Sequence, residues 1–207
     1  SLLGLGTRPL NDPDEGRYTN IAIQMLRSGD FVVPAFNDDV PHFAKPPLTY
    51  WAIAAGLTVA GRNEWGARLA NALAFVATIL VVSRLGRRIV PRRPWLLALV
   101  YATFLRPYSA TNVVTTDTLL TLWETCAGLA FVAWWERRDG PRWRPPLFLM
   151  WLSFALAFLT KGPAGLLPLA AFAAFAALAG GWHAVARLFC IGGVTIFAVV
   201  GLGWYAF

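Results

Sequence analysis

The 207 residues of the chain are 57% apolar and only 14% charged, whereas a soluble globular domain carries about 25% charged residues. This composition excludes an intrinsically disordered chain, which needs low hydrophobicity and high charge, and it argues against a soluble enzyme. The net charge is +7, but most basic residues lie in short gaps between apolar runs rather than on a soluble face that could bind nucleic acid. The ten Trp residues favour a membrane protein, because Trp concentrates at membrane–water interfaces.

Both ends of the chain are apolar, and the sequence does not begin with Met. We therefore interpret it as a fragment in which residues 1–5 are the end of a truncated first transmembrane helix. A signal peptide is disfavoured, because the apolar stretch is short and no basic residues precede it.

The polar part of the chain is residues 6–68, which we interpret as an extracytoplasmic loop. Apolar residues at helical spacing predict an amphipathic helix over residues 18–27, which Gly29-Asp30 ends. Residues 31–43 contain prolines and acids and predict a loop. Residues 48–59 are apolar but too few to cross a hydrocarbon core of about 30 Å, so they predict a juxtamembrane helix at the interface.

Apolar runs follow one another through residues 69–207, where we place about six transmembrane segments. These are residues 69–83, 94–105, 119–135, 145–160, 163–179 and 188–207. Several are shorter than the roughly 20 residues that a span needs, and Arg106-Pro107 marks either a kink or the end of the second. The predicted fold class is an all-α membrane protein, a multi-span transmembrane helix bundle with juxtamembrane amphipathic helices in its first extracytoplasmic loop.

Arginine clusters predict the orientation of this bundle. Five arginines lie in the gap after the first segment and four in the gap after the third, and the positive-inside rule places both gaps in the cytoplasm. The alternate gaps then face outward, which brings together charged residues that are scattered in sequence. These residues are Asp14, Glu15, Arg17, Lys45, Asp117 and Lys161.

Each of these residues has both a structural and a functional interpretation. Acids in the segment DPDEGRY (residues 12–18) suit a helix N-terminus, although capping alone does not call for three acids followed by Arg17. Lys45 is either a snorkelling anchor or an ammonium that the following two prolines aim at a phosphate.

Asp117 opens a predicted span, with Thr121 and Glu124 on the same helix face. It is either an N-cap within a polar stripe between helices or an ionisable group that marks a functional site. Lys161, in the sequence KGP, is either part of a turn between helices or a second cation over an anionic headgroup. His42 is a lone histidine, for which packing is the default interpretation.

The ordered set of these segments carries a resemblance to a known family. In chain order the sequence contains DEGRY, SGDFVVPAFN, FAKPPLTYW, NEWGARLANAL, TTDTLLT and FLTKGP. It resembles the polyprenyl-phosphate-sugar-dependent glycosyltransferases of the GT-C type, more the bacterial aminoarabinose-transferase-like branch than the dolichyl-phosphate-mannose protein mannosyltransferases. The resemblance runs over nearly all 207 residues and matches the N-terminal part of a longer protein.

The resemblance implies a multi-pass glycosyltransferase of the bacterial inner membrane, with its active site on the periplasmic or extracytoplasmic side. Its partners would be a polyprenyl-phosphate-linked sugar as donor and a lipid, glycan or protein as acceptor, with no nucleic acid. Asp14 matches the family's essential carboxylate and Asp117 a second acid. Arg17, Lys45 and Lys161 match groups near the donor phosphate.

The resemblance raises the question of whether the site binds a divalent metal ion. Relatives often have Glu directly before the lysine of KPP, where it can bind a metal, but this chain has Ala44. A metal here would need His42 or Glu15 as a substitute ligand. Glu15, Tyr18 and Glu124 are further candidates for supporting roles.

The chemistry of such a transfer is compatible with these residues. A polyprenyl phosphate is a stable leaving anion, so the reaction needs cations that stabilise its growing charge rather than a catalytic acid. A carboxylate base, by preference Asp14, would take the proton of a hydroxyl acceptor, and a single displacement predicts inversion. A transporter or flippase for a lipid-linked sugar is the alternative, but the sequence has no inverted repeat of the kind that transporters often show. A structural membrane protein is the third interpretation.

Overall fold

The computed structural model describes residues 4–11, 13–36 and 40–206 of the chain. Parts of four predicted features lie outside the described residues: most of the helix end at residues 1–5, Asp12 of the acidic segment, residues 37–39 of the predicted loop, and residue 207 of the last predicted segment. The described residues of the helix end, 4 and 5, lie in a turn. The chain divides into two compact units, Ser1–Leu122 and Trp123–Phe207.

The first helix, α1, spans Asp14–Ser28 and ends at Gly29. Gly29 has φ 74° and donates its N–H to the Met25 carbonyl at 3.0 Å, a left-handed cap that glycine adopts without strain. The predicted helix and its stop are therefore confirmed. The helix begins four residues earlier than predicted, because Asp14 and Glu15 occupy its first turn, where acids interact favourably with the helix dipole.

A short hairpin and a second helix complete the polar part of the first unit. Strands β1 (Ala35–Phe36) and β2 (Val40–Pro41) pair antiparallel within the predicted loop. Helix α2 (Leu48–Ala60) confirms the predicted short helix. Tyr18, Ile21 and Met25 of α1 pack with Tyr50, Ile53 and Leu57 of α2 in one buried cluster.

Helix α3 (Glu64–Ile89) is longer than the segment predicted at residues 69–83. It begins where Asn63 accepts a hydrogen bond from the Gly66 N–H at 2.9 Å, a side-chain cap. It continues through Arg84, Arg87 and Arg88, since arginine is a good helix former. The prediction ended the segment at the first arginine because it followed hydropathy alone.

The second predicted segment, residues 94–105, contains α4 (Trp95–Thr103) and ends at the first residue of α5 (Leu105–Thr111). Between them Phe104 is extended, with φ −68° and ψ 130°. Pro107 explains the break, because a proline has no N–H to donate to the carbonyl four residues earlier, here Thr103, and its ring crowds that carbonyl. Arg106-Pro107 therefore accompanies a break within the predicted segment.

Helix α6 (Thr116–Arg137) contains the boundary between the units. The second unit continues with α7 (Arg144–Lys161), a 3-10 helix (Gly162–Leu166), α8 (Leu167–Leu188), α9 (Ile191–Ile196), a π-helical turn (Phe197–Gly201) and a 3-10 turn (Gly203–Ala206). Trp134 of α6, Met150 and Phe154 of α7, and Leu188 of α8 are buried in its core. The described part of the last predicted segment, residues 188–206, is thus a series of short helical pieces.

Among the described residues, two helical stretches are long and apolar enough to cross a membrane, Glu64–Ile89 and Arg144–Leu188. The second of these includes the 3-10 helix between α7 and α8. The predicted fold class, an α-helical membrane protein, is confirmed, whereas the number of six segments stays a prediction.

Candidate active site

The carboxylate of Glu15 lies at the centre of a buried hydrogen-bond network in the first unit. Its side chain is 1% exposed. Oε1 accepts hydrogen bonds from Arg68 Nε at 2.8 Å and from the Val114 N–H at 2.9 Å. Oε2 accepts from the Asn11 N–H at 2.9 Å, from Arg8 Nη1 at 3.0 Å and from Arg68 Nη2 at 3.1 Å. These bonds join the chain before α1 to α3 and to the segment before α6.

Arg68 completes the same network from α3. Its side chain is 0% exposed, and beyond Glu15 it donates from Nη1 to the carbonyls of Leu5 and Arg8 and from Nη2 to the carbonyl of Pro9 at 2.9 Å. All five N–H groups of the guanidinium are therefore used. A buried ion pair is tolerated when its remaining hydrogen-bonding capacity is satisfied in this way.

The network also fixes the protonation state of Glu15. Burial alone would raise the pKa of this carboxyl. The hydrogen bonds from Arg68 and from the N–H groups of Asn11 and Val114, together with the Arg68 charge, outweigh that effect and lower the pKa from 4.5 to about 2. Glu15 is thus an ionised acceptor at neutral pH, which suits a positioning role better than proton transfer.

Asp14, the residue before Glu15, lines a cavity together with Asp117. The cavity has a volume of about 260 Å³, and its other lining residues are Arg106, Ser109, Ala110, Val113, Val114 and Thr115. We call it the two-acid cavity. It brings together the first residue of α1 and the second residue of α6, which the topology prediction had placed on one face of the membrane. The Asp14 side chain is 61% exposed, so its carboxylate is accessible to a substrate.

Three further hydrogen bonds hold the walls of the two-acid cavity. Asn71 of α3 donates from Nδ2 to the carbonyls of Val113 at 2.6 Å and Thr115 at 3.2 Å. Thr115 Oγ1 in turn accepts from the Asp117 N–H at 3.2 Å. The segment that leads into α6 is therefore attached to α3, and the position of Asp117 depends on that attachment.

Arg106 is a site residue that the sequence reasoning did not single out. It lines the two-acid cavity and also an adjoining cavity of about 100 Å³ whose lining includes Asp117 and Thr121. Its position in the outward gap at residues 106–117 could have identified Arg106 as a site residue, but the sequence interpretation of Arg106-Pro107 was limited to a kink or a helix end. The structure adds a cation to the two acids.

Arg17, one turn after Asp14, pairs with it directly. Arg17 Nη2 donates to Asp14 Oδ1 at 2.6 Å, and its guanidinium lies 5.3 Å from the ring centroid of Tyr18. Tyr18 itself is buried, with its ring 6.0 Å from that of Tyr50. Tyr18 therefore contributes to the site indirectly, because its buried ring lies against the Arg17 guanidinium.

Lys45 and His42 lie in the segment that leads into α2. Lys45 is half-buried and is followed by the buried pair Pro46-Pro47. Burial and then the charge of Arg17 lower the pKa of His42, so this histidine is mainly neutral at neutral pH and lies near Arg17. Lys45 is not among the described residues that line the two-acid cavity.

Lys161 and Glu124 belong to the second unit. Lys161 ends α7, and Gly162 follows with φ 65° and ψ −141°, which confirms the predicted turn. Glu124 lies in α6. The structure of the first unit therefore unites Asp14, Arg17 and Asp117, while Lys161 and Glu124 are described with the second.

The residues that the structure describes do not form a metal site. Within residues 4–11, 13–36 and 40–206, no group of three or more His, Cys, Asp and Glu side chains could hold a metal ion. Both oxygens of Glu15 already accept hydrogen bonds from protein donors, and Ala44 offers no ligand. No chemical step is therefore assigned to a metal.

Comparison with known proteins gives a consistent result. The family model described as dolichyl-phosphate-mannose-protein mannosyltransferase matches residues 44–204. An undecaprenyl phosphate-alpha-4-amino-4-deoxy-L-arabinose arabinosyl transferase 2 of Pseudomonas fluorescens strain Pf0-1 is 35% identical over 170 residues, which cover 78% of this chain and 30% of the relative. An uncharacterized protein of Aquifex aeolicus is 30% identical over 198 residues, covering 95% of this chain and 43% of that protein.

Solved structures with the same fold are similar to almost the whole chain. The crystal structure of ArnT from Cupriavidus metallidurans bound to undecaprenyl phosphate has a TM-score of 0.86 and 28% identity, and it covers 99% of this chain and 38% of that one. The apo structure of the same protein gives the same TM-score of 0.86 at 27% identity. The chain thus spans less than half the length of each of these relatives.

Proposed function

Because the chain belongs to the dolichyl-phosphate-mannose-protein mannosyltransferase family, we propose that it is part of an integral membrane glycosyltransferase. The enzyme would move a sugar from a polyprenyl-phosphate donor to a lipid, glycan or protein acceptor. The observation that carries the proposal is the two-acid cavity, in which an exposed carboxylate, Asp14, faces the same space as Asp117 and Arg106. The fold shared with a protein crystallised with undecaprenyl phosphate supports the donor class.

Asp14 is the proposed general base. It takes the proton of the acceptor hydroxyl, whose oxygen forms a bond to the anomeric carbon. The bond between that carbon and the phosphate oxygen breaks, and the electron pair leaves with the polyprenyl phosphate. One displacement inverts the anomeric configuration. Arg17 Nη2, at 2.6 Å from Asp14 Oδ1, holds this carboxylate in place.

Cations take the proposed role of stabilising the leaving group. The phosphate gains negative charge as the glycosidic bond breaks, and fixed positive groups lower the energy of that transition state. Arg17, Lys45 and Lys161 are the proposed cations, and a guanidinium can bind two phosphate oxygens at once. Asp117 is the proposed second acid, which orients the acceptor at the opposite wall of the two-acid cavity.

The proposed location is the bacterial inner membrane, with several membrane-spanning helices and the two-acid cavity on the periplasmic side. The arginine-rich gaps at residues 84–93 and 137–144 support this orientation, since such gaps stay in the cytoplasm. Relatives from Pseudomonas and Aquifex support a bacterial envelope protein.

The test is a transfer assay on the full-length protein in proteoliposomes. The donor is undecaprenyl phosphate carrying a radiolabelled aminoarabinose, and the acceptor is lipid A in the same vesicles. We expect labelled acceptor together with free undecaprenyl phosphate, and a product of inverted anomeric configuration by NMR. Movement of the donor between leaflets with no labelled acceptor, across a panel of lipid, glycan and peptide acceptors, would contradict the proposal.

A further inference from the structure

A second concave surface is lined in part by Arg17. It has a volume of about 420 Å³ and is lined by Pro13, Gly16, Arg17 and Asn20 along one face of α1 and by Phe36 of β1. We call it the α1 groove. Among the described residues, none lines both the α1 groove and the two-acid cavity. Arg17 connects the two, since it lines the α1 groove and binds Asp14 through Nη2.

Two polar atoms in the α1 groove residues lack hydrogen-bond partners in the part of the chain that the structure describes. They are Arg17 Nε, a donor, and Asn20 Oδ1, an acceptor, and both are buried. Buried polar atoms are almost always hydrogen-bonded, so an unpaired pair calls for an explanation. Residues three apart are neighbours on a helix surface, so one ligand group can meet both.

The hydrogen-bonding properties of Arg17 Nε and Asn20 Oδ1 favour a hydroxyl group as their ligand. A hydroxyl can accept a hydrogen bond from Arg17 Nε and donate one to Asn20 Oδ1, because it carries both functions. A carboxylate or phosphate offers acceptors only and would leave the Asn20 oxygen unpaired. The α1 groove therefore favours a hydroxylated ligand over a simple anion.

Phe36 adds an apolar wall to these polar groups. Ligand sites commonly combine apolar or aromatic walls with a few placed polar groups, and their volumes are about 300 to 1,000 Å³. A sugar ring has an apolar C–H face and a rim of hydroxyls, which matches a half-buried phenyl ring opposite Arg17 and Asn20.

We propose that the α1 groove binds the sugar of the polyprenyl-phosphate donor, with one ring hydroxyl between Arg17 Nε and Asn20 Oδ1. The assignment rests on the proposed function, since it names the sugar subsite of that same reaction. It also places the sugar next to the base, because the guanidinium that holds the hydroxyl through Nε holds Asp14 through Nη2. Asn20 is then a specificity-determining residue.

The experiment compares Asn20→Ala with wild type in the full-length protein. We expect Asn20→Ala to raise the KM for the sugar donor roughly tenfold, as the loss of one hydrogen bond does, without weakening inhibition by undecaprenyl phosphate, which has no sugar. Gln24→Ala is the matched control, since Gln24 lies one turn further along α1 and is not among the residues that line the groove. Asn20→Asp retains an oxygen acceptor and is expected to keep a KM near that of wild type.

A series of monodeoxy donors tests the hydroxyl itself. One deoxy analogue should cost wild type roughly tenfold in kcat/KM and cost Asn20→Ala less, because in that variant only the hydrogen bond from Arg17 Nε remains to be lost. Equal use of all monodeoxy donors by wild type would overturn the proposal without any variant, as would a parallel loss of undecaprenyl phosphate binding in Asn20→Ala. A wild-type protein that transfers no sugar contradicts the proposed function, whereas transfer with an unaffected Asn20→Ala contradicts the sugar subsite alone.

Discussion

Arg68 and Glu15, which are 53 residues apart, form an ion pair that is 0% and 1% exposed, with the Arg68 Nε 2.8 Å from Glu15 Oε1. Glu15 directly follows the exposed Asp14 in the sequence and also accepts a hydrogen bond from the Val114 N–H, in the segment that leads to Asp117. The buried carboxylate therefore ties the proposed base to the opposite wall of its cavity. Glu15 and Arg68 therefore act as positioning residues for Asp14 and Asp117 and take no part in the proposed reaction themselves.

Removal of Glu15 should destabilise the protein strongly. Glu15→Ala leaves the Arg68 guanidinium buried without its counter-charge, and breaking a buried pair in this way costs about 3–5 kcal/mol. The melting temperature of the purified full-length protein in detergent measures the effect. Asp139→Ala is the control, because Asp139 is 78% exposed and lies 3.6 Å from Arg138 and Arg187, a pairing worth at most about 1 kcal/mol. Equal shifts in the two variants would contradict the account.

The low pKa of Glu15 predicts a dependence of stability on pH. The folded-state pKa of about 2 lies below the ordinary 4.5, so the folded protein binds fewer protons than the unfolded chain, and acid favours unfolding. The contribution of Glu15 is fully present above pH 4.5 and is lost as pH falls toward 2. Melting temperatures should therefore fall between about pH 6 and about pH 3 more steeply in wild type than in Glu15→Gln. Parallel curves would exclude Glu15 as a source of acid sensitivity.

Gly66 should not tolerate a side chain. A Cβ at this position would lie 2.2 Å from the Gly61 carbonyl oxygen and 3.2 Å from that of Gly56, so α2 and the start of α3 could not keep their close approach. Gly66→Ala should cost about 1–3 kcal/mol or more and lower the melting temperature. Gly6→Ala is the control, because its nearest contact would be Trp65 Cβ at 3.6 Å, and it should behave as wild type. A Gly66→Ala protein as stable as that control would contradict the packing.

Lys45 should matter for the donor phosphate. Lys45→Gln removes the ammonium and is expected to raise the KM for the polyprenyl-phosphate sugar roughly tenfold, with a smaller effect at high salt, since salt screens exposed charges. Arg62→Gln removes an exposed positive charge from the loop between α2 and α3 and serves as the control. Equal KM changes in the two variants would indicate a general charge effect rather than a phosphate contact.

Local signals in the sequence predicted local structure well. The end of α1 at Gly29 and the turn after Lys161 follow from glycine's freedom at positive φ, which operates within a few residues. The bounds of α3 were less predictable, because hydropathy falls at Arg84 while helix propensity does not. Predicting the break at Phe104 would have required giving the helix-breaking effect of Pro107 more weight than the apolar run before it.

The sequence predicted only part of the candidate site, because several of its contacts join residues that are far apart in the chain. Charge type and topology singled out Asp14, Arg17 and Asp117, which the first unit brings together. The bonds that fix Glu15 come from residues 53 and 99 positions away, and no local pattern encodes such distances. The α1 groove depends on Phe36 meeting the Asn20 face of α1, which is likewise a tertiary contact.

If Asp14 is the base of a glycosyl transfer, the Asp14→Asn variant should lose that transfer. Because Asp14 is exposed and outside the buried network, the variant should keep the melting temperature of wild type and its affinity for undecaprenyl phosphate. Its kcat should fall on the order of 10²- to 10⁴-fold, the usual contribution of a general base. Asp30→Asn is the matched control, since it retains the Oδ1 acceptor of the Val32 and Val33 N–H groups and should transfer normally. Transfer by Asp14→Asn at the wild-type rate would contradict the account.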